Sequence, residues 1–184
     1  MTSTPTHVSG AASSLGGKYL TFTLQSESYG IDVLAVREII RIVSITTMPQ
    51  MPAYIKGVIN LRGKIIPVTD LRLRFGFPET GETDKTCIIV VQVRAAGGKI
   101  TQMGLLVDGV EEVAGISASD IEETPDFGSA ISTDCILGIA KVKGLIKALL
   151  DINKVLGADV IEQVVRTTDL ERAAFENDQE AVAK

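Results

Sequence analysis

Few residues in this chain can do chemistry, and their spacing argues against most of it. The single histidine, His7, lies in a stretch rich in Ser, Thr, Gly and Ala that runs from Met1 to Gly17. From there it cannot pair with a nucleophile in a folded core, so a Ser-His or Cys-His arrangement and a His/Cys metal cluster are both excluded. Cys87 and Cys135 show no C-x-x-C spacing, and Cys87 opens the apolar run Cys87-Ile88-Ile89-Val90-Val91. That context predicts buried thiols rather than a disulfide, a metal site or redox chemistry. Glu111-Glu112 and Glu122-Glu123 are paired carboxylates, but neighbours on a strand point to opposite sides, so they read as solvated charge. The nearest phosphate cradle is Gly57-Val58-Ile59-Asn60-Leu61-Arg62-Gly63-Lys64. It has five residues between its glycines instead of four and Ile65 where a magnesium-binding hydroxyl belongs. Its plain reading is a strand entering a reverse turn. No catalytic residue, cofactor or metal is expected.

The bulk of the chain sets further limits. Its 184 residues have room for one domain of ordinary size or two small subdomains sharing a core. The net charge of −5 is unevenly spread: Lys18 to Gly76 carries eight basic and four acidic residues, Phe77 to Lys184 ten basic and nineteen acidic. A basic first part suggests nucleic acid, yet aromatic residues are 4% of the chain and tryptophan is absent. A barrel binding single-stranded nucleic acid needs aromatic platforms beside a basic groove, so a local patch facing a protein partner is the better reading. No apolar run is long enough for a membrane span, and the N-terminus lacks the basic start and apolar block of a secretory signal. A cytoplasmic protein without direct membrane insertion is expected, with 1–17 as a disordered arm.

The elements that would position any site are mostly strands. Leu20, Phe22 and Leu24 alternate with Tyr19, Thr21 and Thr23, the period of a half-buried strand. A turn at Gln25 to Gly30 leads to a second strand at Ile31-Asp32-Val33, and Leu34 to Ile40 has the spacing of a short helix. Arg41 to Thr47 is β-branched and extended, and Pro49 and Pro52 make Met48 to Met51 a loop. Strands are predicted before Asn60 and from Ile65 to Val68, joined by a turn at Gly63, with Pro67 placing the return strand on an edge or at a bulge. Cys87 to Val93 and Ile100 to Val107 form a hairpin around Ala95 to Gly98, and Val110 to Ile116 and Ile136 to Val142 are further strands. Ser119-Asp120-Ile121-Glu122 reads as a capping box for a short helical turn. Leu145 to Leu156 fits either a helix stripe or a strand leading to a helix. No internal repeat stands out. Many short strands and 17 glycines indicate a mainly β fold, a barrel or a sandwich. Beyond Gly157 an acidic helix is expected, with Ile161, Val165, Thr168, Arg172 and Phe175 on one face and a second capping box at Thr168 to Glu171. Its removal is expected to leave folding near normal.

The segment from Tyr29 to Leu71 carries a resemblance. Tyr29-Gly30-Ile31-Asp32-Val33-Leu34-Ala35-Val36-Arg37-Glu38-Ile39-Ile40, followed by Pro52-Ala53-Tyr54-Ile55-Lys56-Gly57-Val58-Ile59-Asn60-Leu61-Arg62-Gly63-Lys64 and Ile65 to Leu71, resembles the CheW family. Val107-Asp108-Gly109-Val110 and Leu149 to Leu156 extend the match to about Lys18–Leu156. The resemblance implies two intertwined five-stranded SH3-like β-barrels with short helices and a C-terminal helical tail, and resolves Leu145 to Leu150 as a strand. The implied domains are 18–157 for the paired barrels and 158–184 for the acidic tail. It also implies a non-enzymatic adaptor joining the cytoplasmic tip of a chemoreceptor to the regulatory domain of the histidine kinase CheA. An adaptor of the same fold serving pili, gliding or development is the alternative. The family's receptor groove carries over onto Val33, Val36, Glu38, Ile39, Lys56, Arg62 and Ile65. From residue type alone, Val33, Val36 and Ile39 would be core. Gly30, Gly57, Gly63 and Gly109 are expected to shape turns.

Overall fold

A computed structural model of the chain describes residues 15–78, 81–125, 134–157, 161–164 and 166. Residues 1–14 of the expected arm, His7 among them, and the second capping box therefore lie outside the described residues, whereas Leu15 packs against the first barrel and Gly17 opens β1 instead of ending a disordered arm. Up to Leu156 the described residues form β1 (Gly17–Leu24), β2 (Glu27–Asp32), β3 (Val36–Arg41), β4 (Ile55–Leu61), β5 (Lys64–Asp70), α1 (Leu71–Arg74), β6 (Cys87–Arg94), β7 (Ile100–Val107), β8 (Gly109–Ile116), β9 (Ile121–Glu122), β10 (Ile136–Val142), β11 (Leu145–Leu150) and α2 (Ile152–Leu156). They form two sheets, ordered β8-β1-β2-β11-β10-β9 and β3-β6-β7-β5-β4. The first is assembled from both ends of the described chain and the second from the middle, so the two units are intertwined. The fold is mainly β, as expected, and the two-residue β9 makes one unit six-stranded rather than five-stranded.

Each sheet rolls up on itself. Strands β3 and β4 are the outer members of the second sheet, yet Thr46, beyond β3, exchanges two backbone hydrogen bonds of 2.8 Å with Val58 of β4. In the first sheet, β8 leads through a 3-10 turn at Ala118–Asp120 into β9, which pairs with β10. Side-chain alternation then sorts the apolar residues into three cores. Tyr19, Ala114, Ile116 and Leu149 fill the first barrel, and Ile59, Ile66, Ile88 and Val90 fill the second. Leu20, Phe22 and Leu24 of β1 meet Ile89, Val91 and Val93 of β6 in a larger core between the barrels. Strand β6 is apolar without a break from Cys87 to Val91 because both of its faces are covered.

The two units repeat one plan, which was not evident from the sequence. Gly57, Arg62, Gly63 and Asp70 recur at constant spacing as Gly138, Lys143, Gly144 and Asp151. The strand pairs β4–β5 and β10–β11 both carry a register shift at the first glycine. Both then turn through two residues of positive φ, 52° and 84° at Arg62 and Gly63, 50° and 78° at Lys143 and Gly144. Asp70 and Asp151 each accept the N–H of the residue two further on and start α1 and α2. The parallel pairs also correspond: Val68 faces Gly104, and Leu149 faces Gly30. A Cβ at Gly30 would lie 2.9 Å from Leu149 Cδ2, and one at Gly104 would lie 2.8 Å from Ile88 Cγ2. These glycines are required by close packing inside strands.

Several expectations are therefore corrected. Gly30 and Gly57 sit within strands rather than turns; Gly57 has φ +143°, and a Cβ there would lie 2.0 Å from the Thr46 carbonyl oxygen. Gly63 does make its turn, and Gly109 opens β8 just after the bend at Asp108. The short helix expected over Leu34 to Ile40 is only a 3-10 turn at Val33–Ala35, because the residues after it pair with β6 as β3. The capping box at Ser119 does not form: the 3-10 turn begins one residue earlier, Ser117 makes no side-chain cap, and Ile121 is buried in a strand. Pro67 lies on an inner strand, one residue before the β5–β7 ladder begins, where its missing N–H interrupts nothing on that side. Leu145 to Leu150 is a strand and Ile152 to Leu156 a helix.

The start of the tail is also more firmly held than its acidity suggests. Residues 161–164 are helical, and Ile161 and Val164 are buried in the core between the barrels. A boundary at 157 cuts through that core. Truncation after Gly157 removes two buried aliphatic side chains worth about 2–5 kcal/mol. A thermal melt of the truncated chain is expected to fall by roughly 10 °C; an unchanged melting temperature would return the whole tail to the surface.

Candidate functional site

The residues carried over from the resemblance divide between two ends of the second barrel. Glu38 and Ile39 lie on β3, next to a register shift that takes Arg37 out of the ladder with β6. Arg62 opens the β4–β5 turn, in a left-handed conformation that Gly63 continues, the pattern of a tight hairpin turn. The Asn60 side chain accepts the Gly63 N–H at 2.9 Å and holds the turn. Arg62 reaches from this turn to Glu38 and forms an ion pair with it. The hydrogen bond to Glu38 raises the Arg62 pKa further above its usual value. The two outer strands of the sheet are thus clasped at the barrel mouth by an ion pair.

Exposure separates contact residues from core. Ile39 is 46% exposed although apolar, and Leu34 beside Val33 is 82% exposed. Ile65 and Val33 are half-buried, whereas Val36 packs partly against the core between the barrels. Leu34, at the start of the segment with helical spacing, is a surface residue of the 3-10 turn. Lys56 is not brought to this group. It precedes Arg62 by most of the length of β4, about 20 Å for an extended strand, and its ammonium lies 3.9 Å from Asp70.

Asp70 belongs to a buried charge cluster that sequence reading did not identify. Arg72 is 2% exposed and donates from Nε and Nη2 to the two carboxylate oxygens of Asp70, both at 3.0 Å. Its Nη1 donates to Asp108 at 3.0 Å, and the other oxygen of Asp108 accepts the Gln25 N–H. The bidentate hydrogen bonding to Asp70 outweighs burial and raises the Arg72 pKa. No local motif marks this cluster, because Asp108 is distant from Asp70 and Arg72 in sequence.

The carboxylate pairs are held by lysines. Glu112 binds Lys143 and Glu122 binds Lys141, each at 2.9 Å near the surface. Glu111 departs from the solvated reading. It is the residue left over at the bulge between β1 and β8, where Thr21 faces Glu112 and Phe22 faces Val110. Its carboxylate accepts from Ser28 Oγ at 2.7 Å and from Lys147 Nζ at 2.6 Å, and the Lys147 side chain is only 4% exposed. Among the described residues no group of three His, Cys, Asp or Glu side chains is placed to hold a metal. Cys87 and Cys135 form no disulfide and are half-buried, and burial pushes both thiols up, away from the reactive thiolate.

Fold and surface define a pair of pseudo-symmetric SH3-like β-barrels with an exposed aliphatic and ion-paired mouth. The chain belongs to the CheW family: the model of the CheW-like domain matches residues 18–160. The chain is 35% identical to the chemotaxis protein CheW of Klebsiella aerogenes over 81% of this chain and 87% of that one. It is 34% identical to the CheW of Bacillus subtilis over 82% and 93%. The solved structure of the scaffolding protein TtCheW from Thermoanaerobacter tengcongensis is similar with a TM-score of 0.69 and 37% identity, covering 79% of this chain and 96% of that one.

The Glu111–Lys147 pair gives a pH dependence of known sign. Burial alone would raise the Glu111 pKa, but hydrogen bonds from Lys147 and Ser28 and the charge of Lys147 outweigh it and hold the pKa below its ordinary value of 4.5. A depressed carboxylate stabilises the fold above its unfolded pKa, and this contribution is lost as pH falls through the folded value. Urea midpoints of the chain and of Glu111→Gln are therefore expected to differ at neutral pH and to converge as pH falls below the ordinary carboxylate range. A difference independent of pH would refute the assignment.

Proposed function

We propose that this chain is a non-enzymatic cytoplasmic adaptor that couples the cytoplasmic tip of a chemoreceptor to the regulatory domain of the histidine kinase CheA. The observation that carries the reading is the mouth of the second barrel, where the Glu38–Arg62 pair stands beside the exposed Ile39. Apolar contact with Val33, Val36, Ile39 and Ile65 supplies most of the affinity for a receptor helix, and the ion pair sets its orientation. A guanidinium suits that task because its planar fork holds a carboxylate in fixed geometry. Lys56, at the far end of β4, meets a separate part of the helix. Membership of the CheW family supports the assignment of both partners. No helix among the described residues is long and apolar enough to cross a membrane, in keeping with association with the membrane through the receptor.

Arg62 is 71% exposed, so its charge can be reversed without disturbing a core. The Arg62→Glu chain is expected to keep its circular dichroism spectrum and melting temperature while binding to a receptor-tip fragment weakens about tenfold or more. Unchanged receptor affinity would remove these residues from the contact, and wild-type protein binding neither the receptor fragment nor the kinase domain would end the proposal.

A further inference from the structure

The repeat within the fold leaves a gap at the joint between the barrels. At the spacing that relates Gly57 to Gly138, Cys135 stands in place of Tyr54. The backbone repeats the match: the Asp70 N–H donates to the Tyr54 carbonyl at 2.7 Å, and the Asp151 N–H donates to the Cys135 carbonyl at 2.8 Å. Tyr54 fills its space with a ring, and the Arg74 guanidinium lies over that ring, 5.1 Å from its centroid. Cys135 has only a thiol to offer, and a cavity of about 850 Å³ opens beside it, bordering the core between the barrels. A stack of Phe22, Tyr29 and Phe75, with centroids 6.0 and 5.6 Å apart, reaches the cavity through Tyr29 and Phe75, and Phe77 and Leu150 add to its apolar lining. Its charged border is made by Arg74, Lys154 and Asp134. Among the described residues neither cation forms an ion pair; the Nε of Arg74 donates instead to the Val155 carbonyl at 2.9 Å, which anchors the guanidinium at the cavity.

We propose that this cavity is a binding site for a small aromatic carboxylate, a molecule with one or two planar rings and a single negative charge. Cavities of this size at the junction of two units, apolar apart from a few placed charges, are where proteins hold small ligands. The lining selects the body of the ligand. An aromatic ring enters among Tyr29, Phe75 and Phe77, in the space that the Tyr54 ring takes in the other unit, and meets them in offset or edge contact. The border selects the head. Two cations against one carboxylate leave one positive charge in surplus, and a guanidinium holds a carboxylate through two parallel hydrogen bonds. Arg74 belongs to α1, which follows the second sheet, and Lys154 to α2, which follows the first, so a bound carboxylate bridges the two units. This site goes beyond the adaptor reading and does not depend on it.

Isothermal titration of the full chain with 2-naphthoate, and with 2-naphthol as its neutral counterpart, tests the site. The carboxylate is expected to bind at one site per chain and about tenfold more tightly than the neutral compound. Cys135→Tyr places in the cavity the ring that the other unit already has, and is expected to weaken 2-naphthoate binding about tenfold or more while the thermal melt is unchanged or higher. Lys154 is exposed, so Lys154→Gln keeps the fold and carries the test if Cys135→Tyr does not fold. It is expected to lose about threefold or more in affinity for 2-naphthoate and none for 2-naphthol, a split that a change in packing would not produce. Binding of 2-naphthoate no tighter than that of 2-naphthol overturns the site, as does binding that neither folded variant weakens. If 2-naphthoate binds Phe175→Ala and not the parent chain, the chain's own tail fills the cavity and the ligand assignment falls. An affinity that drops as protein concentration rises shows a second copy covering the cavity, and overturns it likewise.

Discussion

Arg72 is the charge on which the joining of the two barrels depends. A guanidinium removed from water is tolerated only when its donors are met, and here two go to Asp70 and one to Asp108. Each partner ties down another part of the chain. Asp70 ends β5 and caps α1, while Asp108 sits where the chain leaves the second barrel for the first and accepts the N–H of Gln25 in the β1–β2 turn. Removing one member would leave an unpaired buried charge at a cost of about 3–5 kcal/mol. The cluster thus sets the orientation of two barrels whose shared core is otherwise made of non-directional aliphatic contacts.

The pseudo-symmetry of the fold makes the departures from it informative. Asp151 repeats the cap of Asp70, but Asn153 stands in place of Arg72 and accepts the N–H of Arg94 at 2.9 Å instead of filling a charge cluster. Lys147 stands in place of Ile66, so the first barrel buries a lysine paired with the more exposed Glu111 where the second buries an aliphatic side chain. Arg74 of α1 donates to the carbonyl of Val155 in α2 at 2.9 Å, so the two related helices meet directly. The barrels share a frame and differ in where they place charge.

Much of the fold was legible because its constraints are local. The alternation in β1, the unbroken apolar run of β6 and the turn at Gly63 follow from side-chain period and backbone freedom. Other elements failed locally. Leu34 to Ile40 has helical spacing, yet pairing with β6 makes most of it a strand, since backbone groups beside an open strand are best satisfied by extending the sheet. The repeat escaped notice because its conserved features are conformational. A bulge, a left-handed turn and a helix cap restrict residue type at three or four positions, and elsewhere any aliphatic of suitable size fills the core.

The sequence by itself determined that the chain is mainly β and, through the pattern from Tyr29 to Leu71, the family. Tertiary structure alone decided which exposed aliphatics stand beside which charges. Glu38 meets Arg62, and Arg72 meets Asp108, because sheets rolled into barrels bring together residues far apart in the chain. It also separated Lys56 from Arg62 and drew Ile161 and Val164 into the core. The physical reason is common to these cases. Side-chain period reports which face of an element is buried, whereas the closure of a barrel and the docking of two barrels set what that face meets.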